Sequence, residues 1–194
     1  IARRLLAPAL PALLGRHPDL RIALGSTDRA IDLVQEGVDC AVRVGTVQDS
    51  SLVVRPIGRL ALVNCASPAY LREHGAPADA AALARAHIAV GYASPATGRE
   101  LPWECADGEH VQFVELRSRV IVNNAESYIA CCRAGLGLIQ VPRFDVQHLL
   151  AAGELVEVLP ECRALPMRIS IVYPHRRQRS ARLMAFFEWF EALM

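Results

Sequence analysis

Residues 118–142 read SRVIVNNAESYIACCRAGLGLIQVP. The β-branched run Val120-Ile121-Val122 is extended in character, and Asn123-Asn124 then offers side-chain oxygens that can accept from the free N–H groups of a helix start. AESYIACCRAG, residues 125–135, reads as a helix closed by Gly135, and LGLIQVP, residues 136–142, as a second strand stopped by Pro142. Strand, helix and strand in one short stretch predict a βαβ unit, whose handedness rule favours a parallel pair.

The same grammar occurs at residues 22–45. The run LRIALG alternates as a strand, Ser26 and Thr27 follow it, and Ile31, Leu33 and Val34 place a helix from Asp28 to Gly37. VDCAVRVG is then a buried strand. Two such units so far apart in the chain predict an open parallel α/β fold in two lobes, with ligands bound beyond the carboxyl ends of the strands.

The remaining segments fit around these units. Residues 3–16, RRLLAPALPALLGR, gather Leu5, Leu6, Leu10, Leu13 and Leu14 on one helical face. VRPIGRLALVNCAS reads as one strand, and Ser67-Pro68 starts the helix AYLREHG with a capping hydroxyl and a proline in the first turn. An Ala-rich helix over 76–86 precedes the strand HIAVGY. WECADGEHVQF is a hairpin turning at Asp107-Gly108. A helix RFDVQHLLAAG, the strands LVEVLP and MRISIVYP, and a closing amphipathic helix with Leu183, Phe186, Phe187 and Phe190 complete the chain.

The chain has 194 residues, 53% of them hydrophobic and 21% charged, which suits a well-packed soluble protein with a sizeable core. Its formal net charge of +1 shows no overall nucleic-acid footprint and points to a small-molecule or protein partner. The six cysteines form no CxxC pair, so zinc-finger and redox-motif spacings are absent and buried thiols are expected. No uninterrupted apolar run is long enough for a membrane-spanning helix. The chain opens at Ile1, directly in a helical pattern, from which we expect a piece of a longer protein.

Several segments together carry a family resemblance: RRLLAPALPALLGRHPDLRIAL, DLVQEGVDCAVRVG, SSLVVRPIG, CASPAYLREHGAP and NNAESYIACCRAGLGLIQVP. In this order, along almost the whole chain, the sequence resembles the effector-binding domain of LysR-type transcriptional regulators. EGVDCAVRVG joined to ASPAYL is the most specific combination. The resemblance implies a type II periplasmic-binding-protein fold: two Rossmann-like lobes joined by two crossover strands, with a cleft that binds a small molecule. It divides the chain into lobe I, residues 1–66 and 174–194 with its first strand missing, and lobe II, residues 67–173. It also implies homodimers or homotetramers in the cytoplasm, and DNA contact only through an N-terminal helix-turn-helix that this sequence does not include.

The expected effector-binding residues are Ser26, Thr27, Gly45, Ser94, Thr97, Asn123, Asn124 and Ser127. Ser26 and Thr27 can cap the helix after their strand or offer a hydroxyl beside its positive end, and in the resemblance Thr27 occupies an effector-contacting position. Asn124 and Ser127 share the first turn of the second unit's helix, where capping and ligand contact are both open, and Asn123 precedes them. Gly45 can bring its backbone close to a ligand or simply turn the chain. Ser94 and Thr97 lie in the loop after HIAVGY. Arg43, inside an apolar strand, needs a partner such as Asp39 or a head that reaches water, with recognition of a carboxylate as the alternative.

Enzyme spacings are missing. GxSxG, HExxH, GxGxxG and P-loop patterns do not occur, so no catalytic residue, metal or cofactor is expected. Cys131-Cys132 lies within a helix and reads as packing. The basic run HRRQRSAR, residues 175–182, lacks interleaved aromatics and reads as the solvated start of the last helix rather than a DNA contact. The expected function is therefore effector sensing for a transcription regulator, a carboxylate or similar metabolite being the chemistry suggested by hydroxyls, amides and helix N-termini. A solute-binding protein of a transport system is the alternative on the same fold.

Overall fold

Between Leu60 and Ala61 the chain leaves one compact unit for another, and it returns between Pro166 and Met167. The computed structural model describes residues 1–28, 31–47, 49–94, 97–108, 110–175 and 180–194. The first unit comprises Ile1–Ser26, Ile31–Leu60 and Met167–Met194, and the second comprises Thr27–Ala30 and Ala61–Pro166.

In the first unit, β1 (Ala41–Val44) and β2 (Leu52–Leu60) flank β10 (Met167–Pro174), both antiparallel to it. Ile169, Ile171 and Val172 of the central strand are buried, as β10 has a neighbour on each side and a helical layer to face. A π-helical turn, Ala2–Leu6, runs into α1 (Ala7–Arg16), which buries Leu13. The closing helix α6 (Ala181–Leu193) buries Leu183, Phe187, Trp189 and Phe190. Arg55 lies 5.3 Å over the Phe187 ring and donates to Glu191 Oε1 at 2.7 Å, so its alkyl stem and charge both have company.

The expected βαβ unit at 22–45 does not form. LRIALG makes no strand, and the described residues 31–37 make a turn instead of a helix. The described residues carry only a single helical turn: Asp32 Oδ1 accepts from the Val34 and Gln35 N–H groups at 2.9 and 3.0 Å, which caps its start. Glu36 N–H still reaches Asp32 O, and Val38 N–H reaches Leu33 O, but Gly37 at φ +68° ends the matter after one turn. Of the apolar residues read as a helical face, Leu33 is buried while Val34 is exposed. Residues 29 and 30 of the expected helix lie outside the described residues, as do 176–179 of the basic run. VDCAVRVG does supply β1, but its partner is β10, antiparallel, rather than a parallel strand before it.

The run VRPIGRLALVNCAS, read as one strand, divides into β2 and β3 (Leu62–Ala66), which belong to different units. In the second unit, β4 (Ile88–Tyr92) pairs in parallel with β7 (Arg117–Val122). Leu138 bridges Ala89 in parallel on the other side, with Val90 N–H donating to Leu138 O and Leu138 N–H to Ile88 O, both at 2.9 Å. Leu138 leads into β8 (Ile139–Pro142), antiparallel to β3, and β3 pairs antiparallel with β9 (Val156–Glu157). The strands thus run β7-β4-β8-β3-β9, and α4 (Ala125–Arg133) carries the chain from β7 past β4 to β8. The βαβ unit read at 118–142 is present, with one strand between its two ends.

Strand alternation sorts the second unit's core into two clusters. Val63, Cys65, Val90, Ile139 and Val141 pack with Tyr128, Ile129 and Cys132 of α4 and with Val146 and Leu149 of α5 (Arg143–Ala151). Ala66, Ala89 and Leu138 pack instead with Tyr70 of α2 (Pro68–His74), Leu83 of α3 (Ala80–Ala86) and the hairpin residues Trp103, Cys105 and Val114. Ser67 caps α2 by accepting from Tyr70 N–H, with Pro68 in the first turn, as read. The hairpin is β5 (Trp103–Asp107) and β6 (His110–Val114), Asp107 opposite His110.

The expectation of six thiols is corrected at one pair. Cys105 of β5 and Cys162, in the turn after β9, are joined by a disulfide with Cα atoms 4.5 Å apart. The fold brings two distant parts of the chain to bonding distance, which no spacing rule anticipates for a separation of 57 residues. Cys40, Cys65, Cys131 and Cys132 are free thiols. Cys132, inside α4, is fully buried with its thiol toward Cys65 O at 3.6 Å, in keeping with the packing role read for it.

Candidate functional site

At the carboxyl end of the parallel pair β4 and β7, the backbone runs out into two polar segments. After β7 come Asn123 and Asn124. Asn124 is extended (φ −149°, ψ 151°), and its Oδ1 accepts from Ser127 N–H at 2.8 Å, capping α4. Its Nδ2 donates to Asn123 Oδ1 at 3.2 Å, so the two amides form one rigid corner. Ser127 takes part in this cap through its backbone N–H, whereas the pattern Asn-x-x-Ser was read as two side chains sharing the turn.

After β4 comes a tight turn. Ala93 N–H donates to Val122 O at 2.7 Å, holding the turn beside the end of β7. Ser94 Oγ accepts from Thr97 N–H at 3.4 Å, Ser94 O accepts from Gly98 N–H at 2.8 Å, and Thr97 Oγ1 accepts from Arg99 N–H at 3.3 Å. Both hydroxyls thus shape the turn.

The centre of this edge is a residue that sequence reading passed over. Asp28, in the Thr27–Ala30 segment that packs with the second unit, directs Oδ2 at two donors: the Tyr92 hydroxyl at 3.1 Å and the Ala125 N–H at 3.0 Å. Ala125 is the first residue of α4, so a carboxylate occupies the positive end of this helix. Burial raises the Tyr92 phenol well above the usual range, and the charge of Asp28 adds to this; the hydroxyl therefore stays protonated and a donor. Tyr92 meets Tyr128 edge to face at 5.1 Å between ring centres. The Tyr128 hydroxyl accepts from Gln140 N–H at 3.2 Å, which fixes the ring behind the site.

A buried amide network lies further along the same strands. Asn64 and Gln140 face each other across β3 and β8, with Gln140 Nε2 donating to Asn64 Oδ1 at 2.9 Å. Gln140 also brackets the Glu104 backbone, donating to its O at 2.8 Å and accepting from its N–H at 3.3 Å. Asn64 Nδ2 donates to Leu159 O and Cys162 O.

The structure therefore brings together Asn123, Asn124 and Ser127 with Asp28 and Tyr92, and sets Ser94 and Thr97 on the neighbouring strand end. Ser26 and Gly45 belong to the first unit. Ser26 and Thr27 are both exposed, and residues 29 and 30 of the helix they were expected to cap lie outside the described residues. Gly45, at φ +92°, ends β1, and its N–H donates to Arg168 O at 2.8 Å, a turn that a left-handed backbone requires. Asp39, considered as a partner for Arg43, accepts from Arg182 Nη2 at 3.1 Å. A signal for Tyr92 existed in the sequence, since it closes HIAVGY at a strand's carboxyl end. The role of Asp28 had no such signal, because the helix expected there directed attention to its neighbours.

Chemically, this edge holds the chain's own carboxylate: two convergent donors, one phenolic and one at a helix N-terminus, meet one oxygen of Asp28. Among the described residues no three metal-ligating side chains cluster, and no helix is long and apolar enough to cross a membrane.

Comparison with known proteins places the chain. A family model described as the LysR substrate binding domain matches residues 1–194. The chain is 40% identical over 194 residues to the Escherichia coli K12 HTH-type transcriptional regulator YhjC, covering 100% of this chain and 64% of that protein. It is 30% identical over 192 residues to the HTH-type transcriptional repressor PA14_22550 of Pseudomonas aeruginosa, covering 97% and 59%. The regulatory domain of CrgA, a LysR-type transcriptional regulator from Neisseria meningitidis, superposes with a TM-score of 0.85 at 27% identity, covering 100% of this chain and 94% of that one. The mixed α/β fold is thus that of LysR regulatory domains, the type II periplasmic-binding-protein fold. The chain spans 64% and 59% of the length of these two curated relatives.

Proposed function

The chain belongs to the LysR-type transcriptional regulators, as their substrate-binding or effector domain, and from this premise we propose that it senses a small carboxylate at the edge formed by Tyr92, Asn124 and the start of α4. This is a family of transcription regulators and not of enzymes. The carrying observation is Asp28: one carboxylate oxygen of the chain already sits on the Tyr92 hydroxyl and the Ala125 N–H. A ligand carboxylate finds the same two donors, and Asn123 and Asn124 beside Ala125, Thr27 beside Asp28, and Ser94 and Thr97 after β4 are the groups to read the rest of the molecule.

In this reading Asp28 is the occupant when effector is absent. A ligand must displace it, and only its preference for the displaced arrangement over the occupied one can shift the equilibrium between them. Displacement of Asp28 breaks its bonds to the Tyr92 hydroxyl and the Ala125 N–H, and this is the local change that a bound effector makes. The full-length regulator passes that signal to an N-terminal helix-turn-helix on DNA, as a cytoplasmic homodimer or homotetramer.

Thermal unfolding against a panel of aromatic and aliphatic carboxylates tests the reading. A ligand at ~100 times its dissociation constant adds about 2.7 kcal/mol, an easily visible shift. The shift should disappear or shrink in Tyr92→Phe, which keeps the ring and removes the donor. A carboxylate that stabilises wild type and Tyr92→Phe equally would show that it binds elsewhere.

A further inference from the structure

Cys105 and Cys162 lie where a disulfide needs no movement of the backbone: their Cα atoms are 4.5 Å apart, within the range of about 4.4–6.8 Å in which the bond forms. We propose that this pair is a redox-responsive modification site, a latch between the β5–β6 hairpin and the 159–163 turn that thiol reductants open and peroxides close.

Three features support a reversible latch over a permanent staple. The first is access. Both cysteines line an open depression on the second unit, bordered by Asp79, Asp107, His110 and Glu161, so a small reagent can approach although each residue is only 7–8% exposed. The second is independent support. Ala106 N–H donates to Arg163 O at 2.8 Å, and Asn64 Nδ2 holds Cys162 O at 2.7 Å and Leu159 O at 3.1 Å. The first of these bonds joins the hairpin to the turn without sulfur, and the two from Asn64 of β3 anchor the turn itself, so the thiols stay near each other after reduction. The third is selectivity. Burial pushes the Cys40 and Cys65 thiols up to about 12 and raises that of Cys132 further, leaving little thiolate at these positions to compete.

The chemistry balances with ordinary reagents. A dithiol reductant bonds one of its sulfurs to one cysteine Sγ and expels the other cysteine as a thiol. Its second sulfur then expels the first cysteine and closes the reagent's own disulfide, so two electrons and two protons pass to the protein. In the reverse direction hydrogen peroxide takes two electrons and two protons from the thiol pair, its O–O bond breaks, and two waters leave.

Differential alkylation with peptide mapping of the native chain decides the matter. After hydrogen peroxide, a cross-linked peptide pair carrying Cys105 and Cys162 should appear, two hydrogen masses below the reduced sum. After dithiothreitol without denaturant, both cysteines should take alkylating reagent, and peroxide added once the reductant is removed should restore the cross-link. Oxidised protein should melt several degrees above reduced protein, and Cys105→Ala with Cys162→Ala should abolish that difference. Absence of the cross-link after peroxide would overturn the proposal, and so would a bond that dithiothreitol cannot open in the folded protein. Both outcomes are read on the unmodified sequence, so failure of the double variant to fold leaves the test intact.

Discussion

Asp28 Oδ2 stands 3.1 Å from the Tyr92 hydroxyl and 3.0 Å from the Ala125 N–H, so the chain supplies its own anion to the N-terminus of α4. Replacing Asp28 with Asn keeps the shape and removes the charge. A charge-assisted hydrogen bond is worth about 1.5–3 kcal/mol before solvent screening, and Asp28 is exposed, so the internal competitor weakens by roughly 1 kcal/mol. Asp28→Asn should therefore bind the stabilising carboxylate about fivefold more tightly in calorimetric titration. Weaker binding would mean that Asp28 contacts the effector directly rather than standing in for it.

The Asn64–Gln140 pair makes a second, purely structural prediction. Asn64 is fully buried, and its amide serves Leu159 O, Cys162 O and Gln140 Nε2. Asn64→Ala leaves three polar groups without that partner in a dry interior, which costs about 2–4 kcal/mol. Denaturant unfolding should show this loss with little change in slope. An unchanged midpoint would mean that water enters and replaces the amide.

How far the sequence disclosed these features depended on whether the deciding contacts were local. The α4 start was legible because a cap needs only Asn124 and the N–H three residues on, and the pattern from Ser118 to Pro142 records strand, helix and strand in order. The stretch from Leu20 to Gly37 looked the same by periodicity, and Asp32 does cap a turn there, but Gly37 at φ +68° stops it after one turn and no strand precedes it. The partners of Asp28 lie 64 and 97 residues away and those of Asn64 as far as 98, so their roles arise only when the fold assembles. Cys105 and Cys162 were hidden for the same reason.

His87 makes stability depend on pH. It is buried, its Nδ1 is 3.3 Å from the Tyr70 hydroxyl, and burial, helped by the charge of His74, lowers its imidazole below the ordinary value of 6.5. The unfolded chain therefore takes up this proton at a higher pH than the folded one. Stability is fully present above about pH 6.5 and falls as pH drops from there through the folded value. Melting temperatures at pH 7.5 and 5.5 should show a smaller acid-induced decrease in His87→Asn than in wild type. Equal decreases would assign the dependence to other groups.

Gly137 allows the most specific structural test. The chain must pass close over β4 for Leu138 to pair with Ile88 and Val90, and Gly137 makes that passage at φ +150°. A Cβ there would lie 2.8 Å from both Ala89 C and Ile88 O and 3.0 Å from Val90 N, all of them backbone atoms in the middle of the sheet. No rotamer change relieves such a clash, and the conformation itself disfavours any side chain. Gly137→Ala must either displace β8 from β4 or distort β4, at a cost on the order of 3 kcal/mol or more. Gly153→Ala is the control. Its φ of +70° is also left-handed, but nothing lies within 4 Å of its added Cβ, so it carries backbone strain alone, about 1 kcal/mol. Chemical denaturation of the two variants should separate them by about 2 kcal/mol, and equal losses would show that the sheet yields at Gly137 without resistance.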